Sequence, residues 1–195
     1  TLLVRLRKKL GIDTLTPIHR IDRETAGLVL FSVKPEGRNL YQRLFRENFV
    51  SKHYEAIAPY RDDIAFPMRY RSRIEEGDSF MRMRVIPDGT PNAETEISIQ
   101  QKSNAFAHYH LKPVTGRKHQ LRIQMCSLGI PLLNDRIYPV HLPEAVTDEM
   151  QAEEFRYPLQ LVAKSVSFKD PVSEKIHHFE SRHCLDLNRI SDFID

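Results

Sequence analysis

Cysteine is scarce in this chain, and the two that occur, Cys126 and Cys184, do not form a C-x-x-C pair. That spacing offers neither a disulfide framework nor a cysteine-based zinc site. It suggests reduced thiols in a cytoplasmic protein. Long apolar runs are missing as well. No stretch approaches the roughly 20 residues that a membrane-spanning helix needs, and no signal-peptide pattern is visible. Internal repeats and low-complexity tracts do not occur. Charge of one sign is also lacking: 29 basic and 26 acidic residues leave a net +3. What remains is an ordinary globular composition, 41% hydrophobic and 28% charged over 195 residues. That is enough for one domain with a sizeable core.

The basic residues are unevenly placed. Arg5, Arg7, Lys8 and Lys9 fall together, as do Arg38, Arg43, Arg46 and Lys52, and then Arg117, Lys118 and Arg122. Acidic residues gather between Glu144 and Glu154. Basic clusters fit a nucleic-acid footprint, and they fit a solvated surface almost as well.

Periodicity predicts an amphipathic helix over residues 1–10, stopped by Gly11. Leu28 to Val33 reads as a buried strand. A helix after Pro35 carries Leu40, Tyr41, Leu44 and Phe45 on one stripe and ends at Asn48. Phe49 to Ala58 alternates as a strand, with Lys52, Tyr54, Ala56 and Ala58 on one face. Arg61 to Asp78 reads as a charged connection with a short strand. Further strands follow at Ser79–Ile86, Ala93–Gln100 and Ala107–Lys112. Arg117 to Leu128 reads as a helix with Leu121, Met125 and Leu128 aligned. Pro143–Arg156 is acidic and reads as a surface insertion. Leu159–Phe168 and Lys175–Phe179 form a hairpin around Asp170-Pro171, and a weak helix closes the chain. Strands in succession without helices between them argue for antiparallel neighbours. The expected class is α+β, a mixed and mostly antiparallel central sheet with flanking helices.

Two stretches carry chemistry. His19-Arg20-Ile21-Asp22-Arg23-Glu24-Thr25-Ala26-Gly27 is a charged loop running directly into the apolar Leu28–Phe31. Arg20 and Arg23 flank Asp22, and neighbouring cations favour an ionised carboxylate. Such a group is a poor general acid near pH 7 and a good nucleophile or electrostatic stabiliser. A salt-bridged surface turn would look the same. The second stretch is Thr115-Gly116-Arg117-Lys118-His119-Gln120-Leu121-Arg122. A tight turn opens a helix whose free N–H groups, with Arg117, His119, Gln120 and Arg122, suit a phosphate or a carboxylate. A basic first turn on a solvated helix is the plainer reading. The pairs His108/His110 and His177/His178 have no evident carboxylate partner, so a metallohydrolase is the weaker reading.

His19 to Leu30 resembles the H-R-[LI]-D-R-x-T-[SA]-G-L-[LV]-L motif of the RluA-type pseudouridine synthases. Ala26 stands where the family most often has Ser. Thr115 to Arg122 is similar to the family's T-G-R-x-H-Q-[IL]-R. Lys52-His53-Tyr54-Glu55-Ala56 matches K-x-Y-x-A. Ile130 to Tyr138 looks like G-x-P-[IL]-x-G-D-x-x-Y, with Asn134 for the usual Gly; Asn tolerates the same left-handed geometry. The resemblance implies a single catalytic domain over residues 1–195 that begins short of the upstream N-K-P-x-G-[LM]-x-V strand. It implies Asp22 as the catalytic residue, Tyr54 against the uracil and an Arg122–Asp22 ion pair. Arg20, Arg23, Arg117, His119 and Gln120 become the RNA-contact candidates. No cofactor and no metal are expected. The implied reaction isomerises a uridine of ribosomal or transfer RNA to pseudouridine. The competing reading is a non-catalytic RNA-binding module of the same fold. A globular protein that binds another protein is a third, and a monomer is the default assembly.

Overall fold

The computed structural model describes residues 1–79, 81–103, 105–140 and 156–193. Helix α1 (Leu2–Leu10) lies where the leucine spacing places it. Thr1 caps its start, and Gly11 ends it in the left-handed conformation at φ 67°. No residue of α1 is buried. It is tied down by Arg7, which donates from Nε and Nη2 to the Leu15 carbonyl at 3.1 and 2.9 Å.

The apolar stretch at Leu28–Val33 is not one buried strand. Two two-residue strands, β1 (Thr16–Pro17) and β2 (Ala26–Gly27), precede it, and within it only Phe31–Ser32 is a strand, β3. β1 and β3 pair antiparallel, while Leu28 and Leu30 are half-buried against α2 (Arg38–Arg46) and its neighbours. Tyr41, Leu44 and Phe45 of α2 face that cluster. Leu40 does not; it is exposed. Glu47 follows the helix, and Asn48 turns the chain at φ 60°.

The main sheet is built from β4 (Ser51–Pro59), β5 (Met68–Glu76), β6 (Met83–Ile86), β7 (Ala93–Lys102), β8 (Phe106–Pro113), β9 (Leu161–Lys169) and β10 (Ile176–Glu180). Their spatial order is β10-β9-β4-β8-β7-β5-β6, every neighbour antiparallel. β2 adds to β9 in parallel, Ala26 opposite Val162 and Gly27 opposite Ala163. The sheet is therefore mixed and mostly antiparallel, as expected. β5 runs nine residues, longer than the short strand its charged sequence suggested. Its arginines point outward and meet the acids of β7: Arg69 pairs with Glu94 and Glu96, and Arg71 with Glu94. Charge alternating with apolar residues is strand patterning once a partner supplies the opposite charge.

One sheet face holds the core. Ala56, Ala58, Ile97, Ala107, Tyr109 and Leu111 meet Leu121 and Met125 of helix α3 (Gln120–Ser127), with Ile130 and Leu132 beyond. Fully burying a leucine, isoleucine or methionine of this set stabilises by roughly 1.5–3 kcal/mol. On the opposite face Ile57 is covered by Leu187 and Ile190 of a terminal 3₁₀ segment, Leu187–Phe193.

α3 departs from expectation in two ways. It starts at Gln120, not Arg117, and His119 precedes it in a left-handed conformation at φ 52°. It is also not a solvated basic helix, since Gln120 through Met125 are all buried. Its polar residues have partners instead of solvent. Thr95 donates to Gln124 Oε1 at 2.6 Å, and Gln124 donates to Ser72 Oγ at 3.0 Å. The expected surface insertion at Pro143–Arg156 falls almost wholly outside the described residues.

Candidate active site

The Asp22 loop and the α3 entrance close on a cleft of about 330 Å³, within the roughly 300–1,000 Å³ usual for ligand pockets. Asp22, Arg20, Tyr54, Arg117, Gln120 and Arg122 all line it, so six of the eight predicted residues share one space. His119 does not line it but approaches Asp22. Arg23 is exposed and does not line it. Lys52, Arg46 and Lys118 add further positive charge to the walls.

The loop owes its shape to two residues. His19 stacks on the Phe45 ring, centroids 4.3 Å apart at 8°. Its Nε2 accepts the Leu30 N–H at 2.9 Å, which leaves Nδ1–H to donate to the Arg20 carbonyl at 3.2 Å. Burial lowers the His19 pKa, so the neutral ring this bonding requires is the form favoured. At the other end Gly27 (φ 104°) presses against β9. A Cβ there would lie 2.3 Å from the Ala163 carbonyl oxygen. Only glycine admits both that dihedral and that approach.

Asp22 itself has no hydrogen bond to its carboxylate among the described residues. Its nearest basic neighbour among the described residues is the His119 ring, with Nε2 3.9 Å from Oδ1. The expected Arg122–Asp22 ion pair is not formed, and this is a correction. Arg122 is fully buried and holds two other carboxylates. Its Nε and Nη2 donate to Asp135 at 2.8 and 2.6 Å, and Nη2 also donates to Glu24 at 2.6 Å. Asp135 completes its bonding by accepting the Ile137 and Tyr138 N–H groups. Burial works against the Arg122 charge, but the bonds to Asp135 and Glu24 outweigh it and raise its pKa. Two carboxylates closer than Asp22 had already claimed the guanidinium. The +2 spacing of Glu24 from Asp22 was visible, but no spacing rule tells which of two loop acids reaches inward.

Tyr54 stands on the cleft side of β4. Burial, helped by the negative charge of Asp22, pushes its phenol up to about 12. It therefore keeps its proton at neutral pH and offers a ring and a hydroxyl donor. Lys52, two residues earlier on the same face, donates from Nζ to the Thr115 carbonyl at 3.1 Å. Burial lowers its pKa.

Gln120 is corrected in role. Its Oε1 accepts from Thr115 Oγ1 and Arg117 N, and its Nε2 donates to the Glu94 carbonyl and Thr95 Oγ1. Every hydrogen-bonding site of the amide is used. It builds the turn under the cleft and has nothing left for RNA. Reading the sequence alone also passed over Lys52, Glu24, Asp135 and Tyr138 as parts of the site. Lys52, Asp135 and Tyr138 were legible as motif positions, though not as partners. Among the described residues no group of His, Cys, Asp or Glu is arranged to hold a metal ion.

The model of the RNA pseudouridylate synthase family matches residues 3–127. A dual-specificity RNA pseudouridine synthase RluA of Pasteurella multocida is 27% identical over 184 residues, covering 88% of this chain and 74% of that protein. Ribosomal large subunit pseudouridine synthase C of Vibrio cholerae is 32% identical over 158 residues. That match covers 81% of this chain but only 48% of the relative, so the chain spans about half of its length. Among solved structures, human RNA Pseudouridylate Synthase Domain Containing 1 superposes with a TM-score of 0.72 at 19% identity. The superposition covers 98% of this chain and 83% of that one, and at such identity it shows a shared fold.

Proposed function

The chain belongs to the RNA pseudouridylate synthase family, and we propose that Asp22 is the residue with which it isomerises uridine in ribosomal or transfer RNA. One observation supports this reading above the others. Asp22, without a hydrogen bond among the described residues, and Tyr54, with its proton retained, face the same basic cleft although they come from different parts of the chain. In the reaction the N1–C1′ bond breaks, the uracil turns and C5 joins C1′. The proton on C5 leaves to solvent and N1 gains one. The Asp22 carboxylate acts on the sugar, as nucleophile at C1′ or as a base. Tyr54 gives the uracil a surface to stack on and a hydroxyl to bond. The target base has to leave its stack to reach the cleft, and Arg20, Arg46, Arg117 and Lys118 at the walls suit the phosphates around it.

Cys126 and Cys184 are free thiols, and a cytoplasmic location fits them. No described helix is long and apolar enough to cross a membrane. A monomer remains the working assembly.

The test uses RNA labelled with tritium at uracil C5. Wild type should release tritium. Asp22→Asn, which keeps the side-chain size, should release none, while thermal stability changes by no more than about 0.5 kcal/mol. Wild type that binds RNA without release would make the chain an RNA-binding module. Asp22→Asn turning over near the wild-type rate would remove Asp22 from the chemistry.

A further inference from the structure

His119 is placed with care that the reaction as described above does not use. Its backbone is left-handed at φ 52°, a strained region for a non-glycine residue and one that clusters at functional sites. Its carbonyl is tied into α3 by the Ile123 N–H at 2.9 Å. The ring lies between two groups. Nδ1 is 3.1 Å from the Tyr138 hydroxyl, and Nε2 is 3.9 Å from Asp22 Oδ1.

The proton positions follow from counting donors. The Tyr138 oxygen already accepts the Met83 N–H at 2.7 Å. Burial pushes the phenol up to about 12, so it keeps its own proton. A phenol has one O–H to give, and among the described residues the acceptor in reach is Nδ1 of His119. A neutral imidazole that accepts at Nδ1 carries its proton on Nε2. That N–H faces Asp22. The phenol ring cannot swing away easily: it meets the imidazole edge-on at 86°, with Arg82 5.4 Å and Arg122 5.9 Å from its centroid.

We propose that Tyr138 and His119 form a positioning relay, in which the Tyr138 hydroxyl fixes the Nε2–H tautomer of His119 and that N–H orients the Asp22 carboxylate. His119 takes the place beside Asp22 that Arg122 does not fill. The inference rests on Asp22 being the catalytic residue. The 3.9 Å gap is longer than a hydrogen bond, and such contacts in unliganded sites commonly tighten when substrate binds. The charged groups around the imidazole are Asp22 from the loop, Lys118 and Arg122 from the α3 region, and Asp135 beyond. Neither His119 nor Tyr138 needs to touch the uridine to act this way.

Two measurements test it. Nitrogen NMR of histidine-labelled protein reads the tautomer directly and requires no turnover. Wild type should show His119 protonated at Nε2, and Tyr138→Phe should move proton population to Nδ1. A wild-type ring protonated at Nδ1, or a ring unmoved by Tyr138→Phe, overturns the relay. The second measurement is a double-substitution cycle with His119→Gln, whose amide supplies an N–H near the Nε2 position and has no tautomers. Tyr138→Phe should lower kcat about tenfold or more in wild type and by less than about twofold in the His119→Gln background, with KM for RNA little changed. Its effect on melting temperature should be the same in both backgrounds. Equal kcat losses in the two backgrounds, or His119→Gln slower than His119→Leu, would overturn the proposal. A wild type that isomerised no uridine would count against the functional reading, and the tautomer measurement would still decide the relay.

Discussion

Arg122 is the residue on which sequence and structure differ most usefully. Its presence in the site was legible from its motif; its partner was not. The guanidinium has five donors in a fixed fork, and it takes the bidentate geometry that Asp135 offers from a tight turn. Asp22, on a loop aimed at the cleft, lines that cleft instead. Neutralising Arg122 should therefore damage the fold more than Asp22→Asn does. Arg122→Met leaves Asp135 buried without its counter-charge, and we expect unfolding free energy to fall by about 3–5 kcal/mol. Urea denaturation reads this. A loss below about 1 kcal/mol would mean that the Asp135 contact contributes little. The same reasoning separates Gln120 from its neighbours in the motif, because an amide with every site occupied serves the turn. A list of polar residues at close spacing cannot show which are already engaged.

At the scale of elements, the site depends on two attachments. One is the join between the Asp22 loop and β9 at Gly27. Gly27→Ala would drive a Cβ into the Ala163 backbone, and overpacking alone costs about 1–3 kcal/mol. We expect turnover to fall together with stability, because the join also sets where Asp22 lies. Full activity with a lowered melting temperature would mean that the loop holds its shape without β2. The other attachment is the polar seam under α3. Gln124→Leu removes the acceptor of the Thr95 O–H and the donor to Ser72 Oγ in the interior, at about 1–3 kcal/mol. Calorimetric melting of that variant at neutral pH checks it; an unchanged melting temperature would contradict the seam. Sequence periodicity located α3 through Leu121 and Met125. It missed that the other sides are buried too, since glutamines and an arginine read as solvent-facing until their partners are in view.

Across the whole molecule, pH dependence follows from buried histidines. Burial is the main cause that lowers the pKa of His19, His53, His108 and His119 below the ordinary 6.5. Each is then more easily protonated in the unfolded chain than in the folded one. Stability is fully present above about 6.5 and is lost as pH falls through that value toward the lower folded ones. Asp170 adds a later loss. The Ser173 N–H, the Tyr41 hydroxyl and the Val172 N–H hold it at about 2 against the usual 3.8, so its contribution disappears between those values. Melting temperatures measured from pH 8 to 5 should be level at first and then decline. A maximum near pH 5 would contradict the assignment.

The amino-acid sequence by itself determined the α+β class, most strand positions, the cleft-facing Tyr54 and the identity of the Asp22 loop. Those depend on local pattern: period-two alternation, a capping glycine, a motif read in order. Only the tertiary structure decided that Arg122 holds Glu24 and Asp135, that Gln120 is spent on its own turn, and that His119 stands beside Asp22. Each of these is a choice among competing partners of like chemistry. Distance and burial settle such choices, and both come from how separate parts of the chain pack.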